Sequence, residues 1–132
     1  MKIIDENLLL GLTEQAKASP RLRMNYNFHE SLDEKCHRFL NAMEPGTQIP
    51  VHHHPTKAET LVILKGKIRV TTYDDSGKVV ESCIVSREDG NYGVDIPKDV
   101  WHTVECLESC VILECKEGPF ISHDVDGILN IK

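Results

Sequence analysis

The sequence has no long hydrophobic run, no basic cluster and no Cys-x-x-C motif in its 132 residues. No apolar stretch approaches the roughly 20 residues that cross a bilayer. The N-terminal apolar stretch is interrupted by Asp5, Glu6 and Asn7, unlike a secretory signal. A formal net charge of −6 argues against binding to nucleic acid or to anionic membranes. We therefore expect a cytoplasmic protein that contacts neither nucleic acid nor membranes.

The cysteine pattern is that of a protein without disulfides. The five residues are Cys36, Cys83, Cys106, Cys110 and Cys115. Because their number is odd and their spacing fits no zinc ribbon, neither a disulfide framework nor a structural zinc site is indicated. We interpret them as small buried hydrophobic residues in a reducing compartment.

One predicted helix precedes a series of short predicted strands. Apolar residues recur at helical spacing after Asp5, and Ser19-Pro20 ends the pattern. Strands are predicted at 35–43, 48–54, 59–65, 67–73, 78–86, 94–97, 100–107 and 109–116. Gly, Asp and Pro separate these segments, which is typical of an antiparallel sandwich or barrel.

This pattern predicts one structural domain with three parts. Residues 1–35 form the helix and an extended arm, and residues 36–120 form the barrel. Residues 121–132 form a C-terminal tail, for which an edge strand and pairing with a second subunit both stay open.

Three consecutive histidines, followed by a glutamate, stand out in the middle of the chain. In a strand alternate side chains share a face, so His52 and His54 point one way and His53 the other. A turn at Pro55 then brings in Glu59 from the next strand. Two imidazoles and a carboxylate leave open positions on a first-row metal, as in non-haem iron and catalytic zinc sites.

A fourth candidate ligand, His102, follows a Pro-Lys-Asp turn and begins a later strand. Burying so many ionisable groups without a metal would be costly. Two alternatives stay open, namely a surface histidine tract and a metal-free hydrogen-bonded cluster. The first explains neither the glutamate nor the distant His102.

These residues resemble the first sequence motif of the cupin superfamily, in which two histidines and a glutamate bind a divalent metal. The match runs from Gly46 through His52, His54 and Glu59 to Gly66 with every spacing kept. The second cupin motif is kept in part: Pro97 and His102 fit, while Asp99 replaces a glycine and Cys106 an asparagine. Asp tolerates the same turn conformation.

The resemblance implies a mainly β fold: a single-domain cupin barrel, also called a double-stranded β-helix or jelly roll, with one N-terminal α-helix. The implied metal ligands are His52, His54, Glu59 and His102, holding one divalent transition metal (Zn, Fe, Ni, Mn or Co). It further implies a homodimer, because subunits can cover the edges of jelly-roll sheets.

Over roughly residues 1–120 the chain resembles the WbuC-type cupin fold metalloproteins. The segments 25–47 and 100–120 and the N-terminal helix carry this likeness. It implies a small polar ligand such as a sugar or sugar nucleotide in surface-polysaccharide metabolism. The role stays open between an isomerase or epimerase, a metal-dependent dioxygenase, and a non-catalytic binding or sensing module.

Several polar residues ahead of the histidine run are candidates for contact with that ligand. Asn25, Asn27 and His29 either line the barrel mouth or belong to a solvated arm. Arg38 lies in an apolar strand and binds a carboxylate or phosphate if it faces inward. If it faces outward, it is a surface charge.

Overall fold

The computed structural model describes residues 1–120, so the predicted tail at 121–132 lies outside the described residues. Helix α1 spans Glu6–Ala18 and begins at Asp5, whose carboxylate accepts a hydrogen bond from the Leu8 amide. Its buried side chains include Leu9, Leu12 and Ala16. No helix within residues 1–120 is long and apolar enough to cross a membrane.

Six antiparallel strands form the rest of the described fold. They are β1 (Arg23–Asn27), β2 (Cys36–Met43), β3 (Glu59–Tyr73), β4 (Val79–Ser86), β5 (Gly93–Ile96) and β6 (Trp101–Glu117). The order across the sheet is β1-β2-β6-β3-β4, and β5 pairs with the first half of β3.

The two long strands β3 and β6 pair over nearly their whole length and shape the barrel. Their register shifts between Ile63 and Ile68, and the shifts divide the pair into two halves. Strands β1, β2 and β5 extend the half that contains Glu59, whereas β4 extends the other half. Interruptions of this kind bend strands and increase their twist, which lets one sheet close on itself.

Two separate hydrophobic clusters stabilise the two faces of the sheet. Inside the barrel, Leu61 and Ile63 from one half pack with Ile68 and Val70 from the other, alongside Met43 and neighbouring residues. On the outer face, the α1 side chains pack on Leu40, Ala42 and Val111. The predicted mainly β barrel with one external helix is therefore confirmed.

The structure corrects three of the strand predictions. Residues 48–54 form no strand, and only His52 makes an isolated bridge, to His102. The segments predicted on either side of Gly66 are instead one strand, as are those predicted at 100–107 and 109–116. The glycine and polar residues between these segments mark irregularities within a strand and not its end. The reason is that the long partner strand continues past them.

The arm ahead of residue 36 and the cysteines also differ from expectation. The arm contributes β1 to the sheet, paired with β2 from Arg23↔Met43 onward. All five cysteines are free, but only Cys106 and Cys110 are buried, whereas Cys36 and Cys115 are exposed. Those two lie at positions whose side chains point out of the sheet, which corrects the expectation of burial.

Candidate metal centre and cavity

His52 and His54 lie in the loop that leads into β3, and they share one orientation although this loop is not a strand. Both are buried, at 9% and 4% exposure, while His53 is less buried. Glu59 opens β3 and shares its inward face with Leu61 and Ile63, all of them buried. The alternation predicted from the sequence is therefore present at both ends of the Pro55 turn.

His102 joins this group because the turn before β6 docks on the histidine loop. Its backbone exchanges two hydrogen bonds with that of His52, at 2.8 and 3.0 Å. The Asp99 amide also donates to the His54 carbonyl at 2.9 Å. Asp99 has φ 64°, so this aspartate adopts the left-handed conformation at the place where cupins often have glycine.

The four side chains form one compact cluster. Each offers a ligand atom, and these atoms all lie within 4.8 Å of one another. His102 is 2% exposed, and its Nε2 lies 2.6 Å from Glu59 Oε1. Three imidazole nitrogens and one carboxylate oxygen are a donor set that suits a divalent first-row metal.

Two of the rings are oriented by backbone carbonyls. The Nδ1 of His52 donates to the Pro50 carbonyl, and the Nδ1 of His102 donates to the Val100 carbonyl, both at 2.8 Å. A hydrogen bond of this kind places the proton on Nδ1 and leaves the Nε2 lone pair for a metal.

The Nε2 of His102 favours a cation in this cluster. It is buried and has no hydrogen-bond partner of acceptable geometry within residues 1–120, although the Glu59 carboxylate is close. A lone pair facing a carboxylate in a buried site is unfavourable without a positive charge in contact with both atoms. The four residues therefore fit a metal ion on the chemistry of their own atoms.

The protonation states of the cluster also suit a metal. Burial, together with His102, lowers the pKa of His52 to about 4. Burial alone would raise the pKa of Glu59, but contact with His102, followed by the charge of Lys116, lowers it to about 2. Near neutral pH this imidazole is therefore neutral and the carboxylate ionised, which are the forms that bind metals.

His53 supports the loop from its other side. Its ring stacks on Trp101 with centroids 3.7 Å apart, and its Nδ1 lies 3.0 Å from Asp99 Oδ1. The indole Nε1 of Trp101 donates to Asp75. The predicted division of the histidine run thus has a structural counterpart, because His53 contacts Trp101 and Asp99 and not the cluster.

A cavity of about 460 Å³ extends from the four-residue cluster to the mouth of the barrel. Asn25, Asn27 and His29 all line it, His29 being buried and the two asparagines exposed. Arg38 is exposed and does not line the cavity, which is the outward orientation of the two that the sequence left open. Its strand neighbours His37 and Phe39 face inward instead.

Among the residues of the cavity wall that sequence reasoning missed are Arg23, Asn41 and Glu114. The pairing of β1, β2 and β6 places them there. Asn41 lies opposite Asn25, and Glu114 opposite Phe39. Two-residue alternation would have grouped Arg23 with Asn25 and Asn27 once β1 was recognised as a strand.

Glu114 is a partly buried acid of the cavity wall, close enough to Glu59 for their charges to interact. Burial, and then the negative charge of Glu59, raise the pKa of Glu114 to about 8. Folded protein therefore holds a proton that unfolded protein releases near the ordinary carboxyl pKa of 4.5. Stability from this group is fully present below pH 4.5 and is lost as the pH rises towards 8.

We expect Glu114→Gln to become progressively more stable than the unsubstituted protein between pH 5 and pH 8. The difference should reach about 1–3 kcal/mol, because Gln carries no charge to bury. Urea denaturation of metal-free protein across this pH range measures it. Glu117→Gln, at an exposed position on the same strand, is the control and should show no such trend. Parallel pH profiles of both variants would contradict the prediction.

The chain matches one described family over most of its length. Residues 4–85 match the family described as a domain of unknown function, DUF6016. The chain belongs to the DUF6016 family. No curated protein matches the sequence of this DUF6016 member.

Solved structures similar to the DUF6016 chain share the cupin fold. The capsular polysaccharide assembling protein CapF from Staphylococcus aureus matches with TM-score 0.66 and 24% identity, covering 81% of this chain and 29% of CapF. A variant of Bacillus subtilis oxalate decarboxylase matches with TM-score 0.57 and 18% identity, covering 81% and 32%. KdgF from Halomonas sp. matches with TM-score 0.58 and 14% identity, covering 81% and 87%.

These likenesses establish the fold of the DUF6016 chain. The chain spans about a third or less of CapF and of oxalate decarboxylase, and most of KdgF. The predicted cupin barrel is confirmed, while the finer resemblance to WbuC-type proteins stays a prediction.

Proposed function

We propose that this DUF6016 protein is a metal-binding cupin whose barrel cavity binds a small polar molecule beside the metal. His52, His54, Glu59 and His102 are the proposed ligands. The observation that supports this most is the compact buried cluster, with its ligand atoms within 4.8 Å. The carbonyl-oriented rings of His52 and His102 add to it.

The proposed cofactor is one divalent transition metal, chosen among Zn, Fe, Ni, Mn and Co. Imidazole suits most of these ions, so the metal bound also depends on supply. One structurally similar protein, Bacillus subtilis oxalate decarboxylase, is described as having Mn(II) centres. A metal held by these residues would act as a Lewis acid on an oxygen atom of the ligand.

The proposed ligand is a small polar molecule, such as a sugar or sugar nucleotide of surface-polysaccharide metabolism. The likeness to a capsular polysaccharide assembling protein and the resemblance to WbuC-type proteins support this. Of the ligand contacts predicted from the sequence, we propose Asn25 and His29, because both line the cavity. We also propose that the protein forms a homodimer and that it is cytoplasmic.

Metal content tests the central proposal directly. Full-length protein is purified without a nickel column, dialysed against each of the five ions and assayed by mass spectrometry of the elements. We expect about one bound ion per chain for at least one metal. Substoichiometric content with every ion would overturn the proposed site.

A second experiment separates an enzyme from a binding module. Metal-loaded protein is incubated with sugars and sugar nucleotides, aerobically and anaerobically, and products are sought by mass spectrometry. Isomerised or epimerised product supports an isomerase, and oxygen-dependent product a dioxygenase. Saturable binding of these compounds without product supports the alternative of a sensing or carrier module.

A further inference from the structure

Basic side chains outnumber acidic ones on the cavity wall, whereas the protein as a whole is acidic. The chain has a formal net charge of −6. Three cationic side chains, Arg21, Arg23 and Lys116, nevertheless line the cavity, against the acidic Glu59 and Glu114. Charges collected in a concave site focus the potential there, so this cavity attracts anions although the protein is acidic.

Arg23 is one of the three cations on the cavity wall. It is partly buried, and its strand register puts it on the cavity face with Asn25 and Asn27. Among residues 1–120 the charges of Arg21 and Glu114 act on its guanidinium, but no side-chain hydrogen bond or salt bridge joins it to either. A planar guanidinium with free donors matches the two oxygens of a carboxylate.

Next to this cation the cavity wall offers an unpaired acceptor. Asn41 is 6% exposed, and its buried Oδ1 has no hydrogen-bond partner among the described residues. The side chain of Asn41 also hydrogen-bonds to Glu114. Buried acceptors are normally paired, so an unpaired one on a cavity wall indicates a donor brought by a ligand. Hydroxyl groups are donors of this kind.

We propose that the cavity binds a small hydroxylated carboxylate, whose carboxylate contacts Arg23 and whose hydroxyl groups contact Asn41 and Glu114. This assignment rests on the proposed function, which puts the ligand in this cavity. A volume of about 460 Å³ lies towards the lower end of the range for small-molecule sites, which favours a single sugar acid.

Calorimetric titration of full-length, metal-loaded protein tests the proposal with three probes: glucuronate, glucose and inorganic phosphate. Glucuronate should bind at least about tenfold more tightly than glucose, because only glucuronate offers a carboxylate to the guanidinium. Arg23→Gln should remove this preference. Arg38→Gln is the matched control, since Arg38 is exposed on the outer face of the neighbouring strand.

Asn41→Leu separates the hydroxyl contact from the anion contact. It should weaken glucuronate binding while leaving phosphate binding unchanged, because phosphate contacts the cationic side chains and the metal and not Asn41. Phosphate that binds as tightly as glucuronate would contradict the assignment, since the site would then be a general anion site. Equal affinity for glucose and glucuronate would also overturn it, as would equal effects of the two arginine substitutions.

Metal content of the same samples keeps the two proposals distinguishable. If the metal is bound at about one ion per chain and no carboxylate preference appears, the ligand assignment fails alone. Absence of glucuronate binding up to about 10 mM counts as such a failure. If the preference appears in protein that binds no metal, the ligand assignment holds and the metal proposal fails.

Discussion

His54→Ala should lower metal affinity by at least about 100-fold, and His102→Ala and Glu59→Gln should act in the same direction. Losing a partner that only orients a ligand already costs about 10–100-fold, so losing a ligand should cost more. The ligand atoms lie within 4.8 Å of one another, and each is buried, so no nearby water-exposed group can replace one without rearrangement. Elemental analysis after dialysis against limiting metal measures the change.

The fold should survive these substitutions. The barrel interior is stabilised by a separate apolar cluster that includes Met43, Leu61, Ile68 and Val85. Circular dichroism and the thermal midpoint of chelator-treated protein should therefore be similar before and after substitution. This comparison distinguishes a lost ligand from a lost structure.

His53→Ala is the matched control for the histidine run. Its ring stacks on Trp101 away from the cluster, so metal stoichiometry should persist. Equal loss of metal in the His53 and His54 variants would indicate a surface histidine tract. Unchanged metal content in His54→Ala would show that the proposed ligand set is wrong.

The residues of the candidate centre could be predicted from the sequence because three of them lie close together in the chain. Alternation within His52–His54 and the spacing to Glu59 can be read from adjacent residues, and the structure brings His102 to the same place. The cavity wall depends instead on which strands pair. Whether Arg23 or Arg38 faces inward is decided by the register of β1 and β2, and the sequence does not contain that register explicitly.

The same distinction explains the errors in strand boundaries. Gly66 indicated the end of a strand, whereas β3 continues through it because β6 pairs on both sides. Pairing with a long partner strand outweighs the local preference of glycine for strand ends at this position. Gly66 is therefore a glycine required by packing against β6 rather than by a chain reversal.

Gly66→Ala should lower the free energy of unfolding by about 3 kcal/mol or more. Two effects add at this position. The backbone has φ +85°, which disfavours any residue with a Cβ, and that Cβ would lie 2.6 Å from the Cα and 2.7 Å from the Cβ of Cys110. It would also meet the carbonyl oxygen of Ser109. Since these are backbone and core atoms, the strand β6 itself would have to shift.

Gly90→Ala separates the two effects, because Gly90 has φ +77° but no heavy atom within 4 Å of the added Cβ. Backbone strain alone should cost it about 1–2 kcal/mol. Urea denaturation of chelator-treated protein gives both values. Equal losses of unfolding free energy in the two variants would show that β6 accommodates the methyl group. The contact between β3 and β6 would then be looser than the distances at Gly66 indicate. A larger loss at Gly66 would locate the excess in that contact, since the backbone conformations are similar.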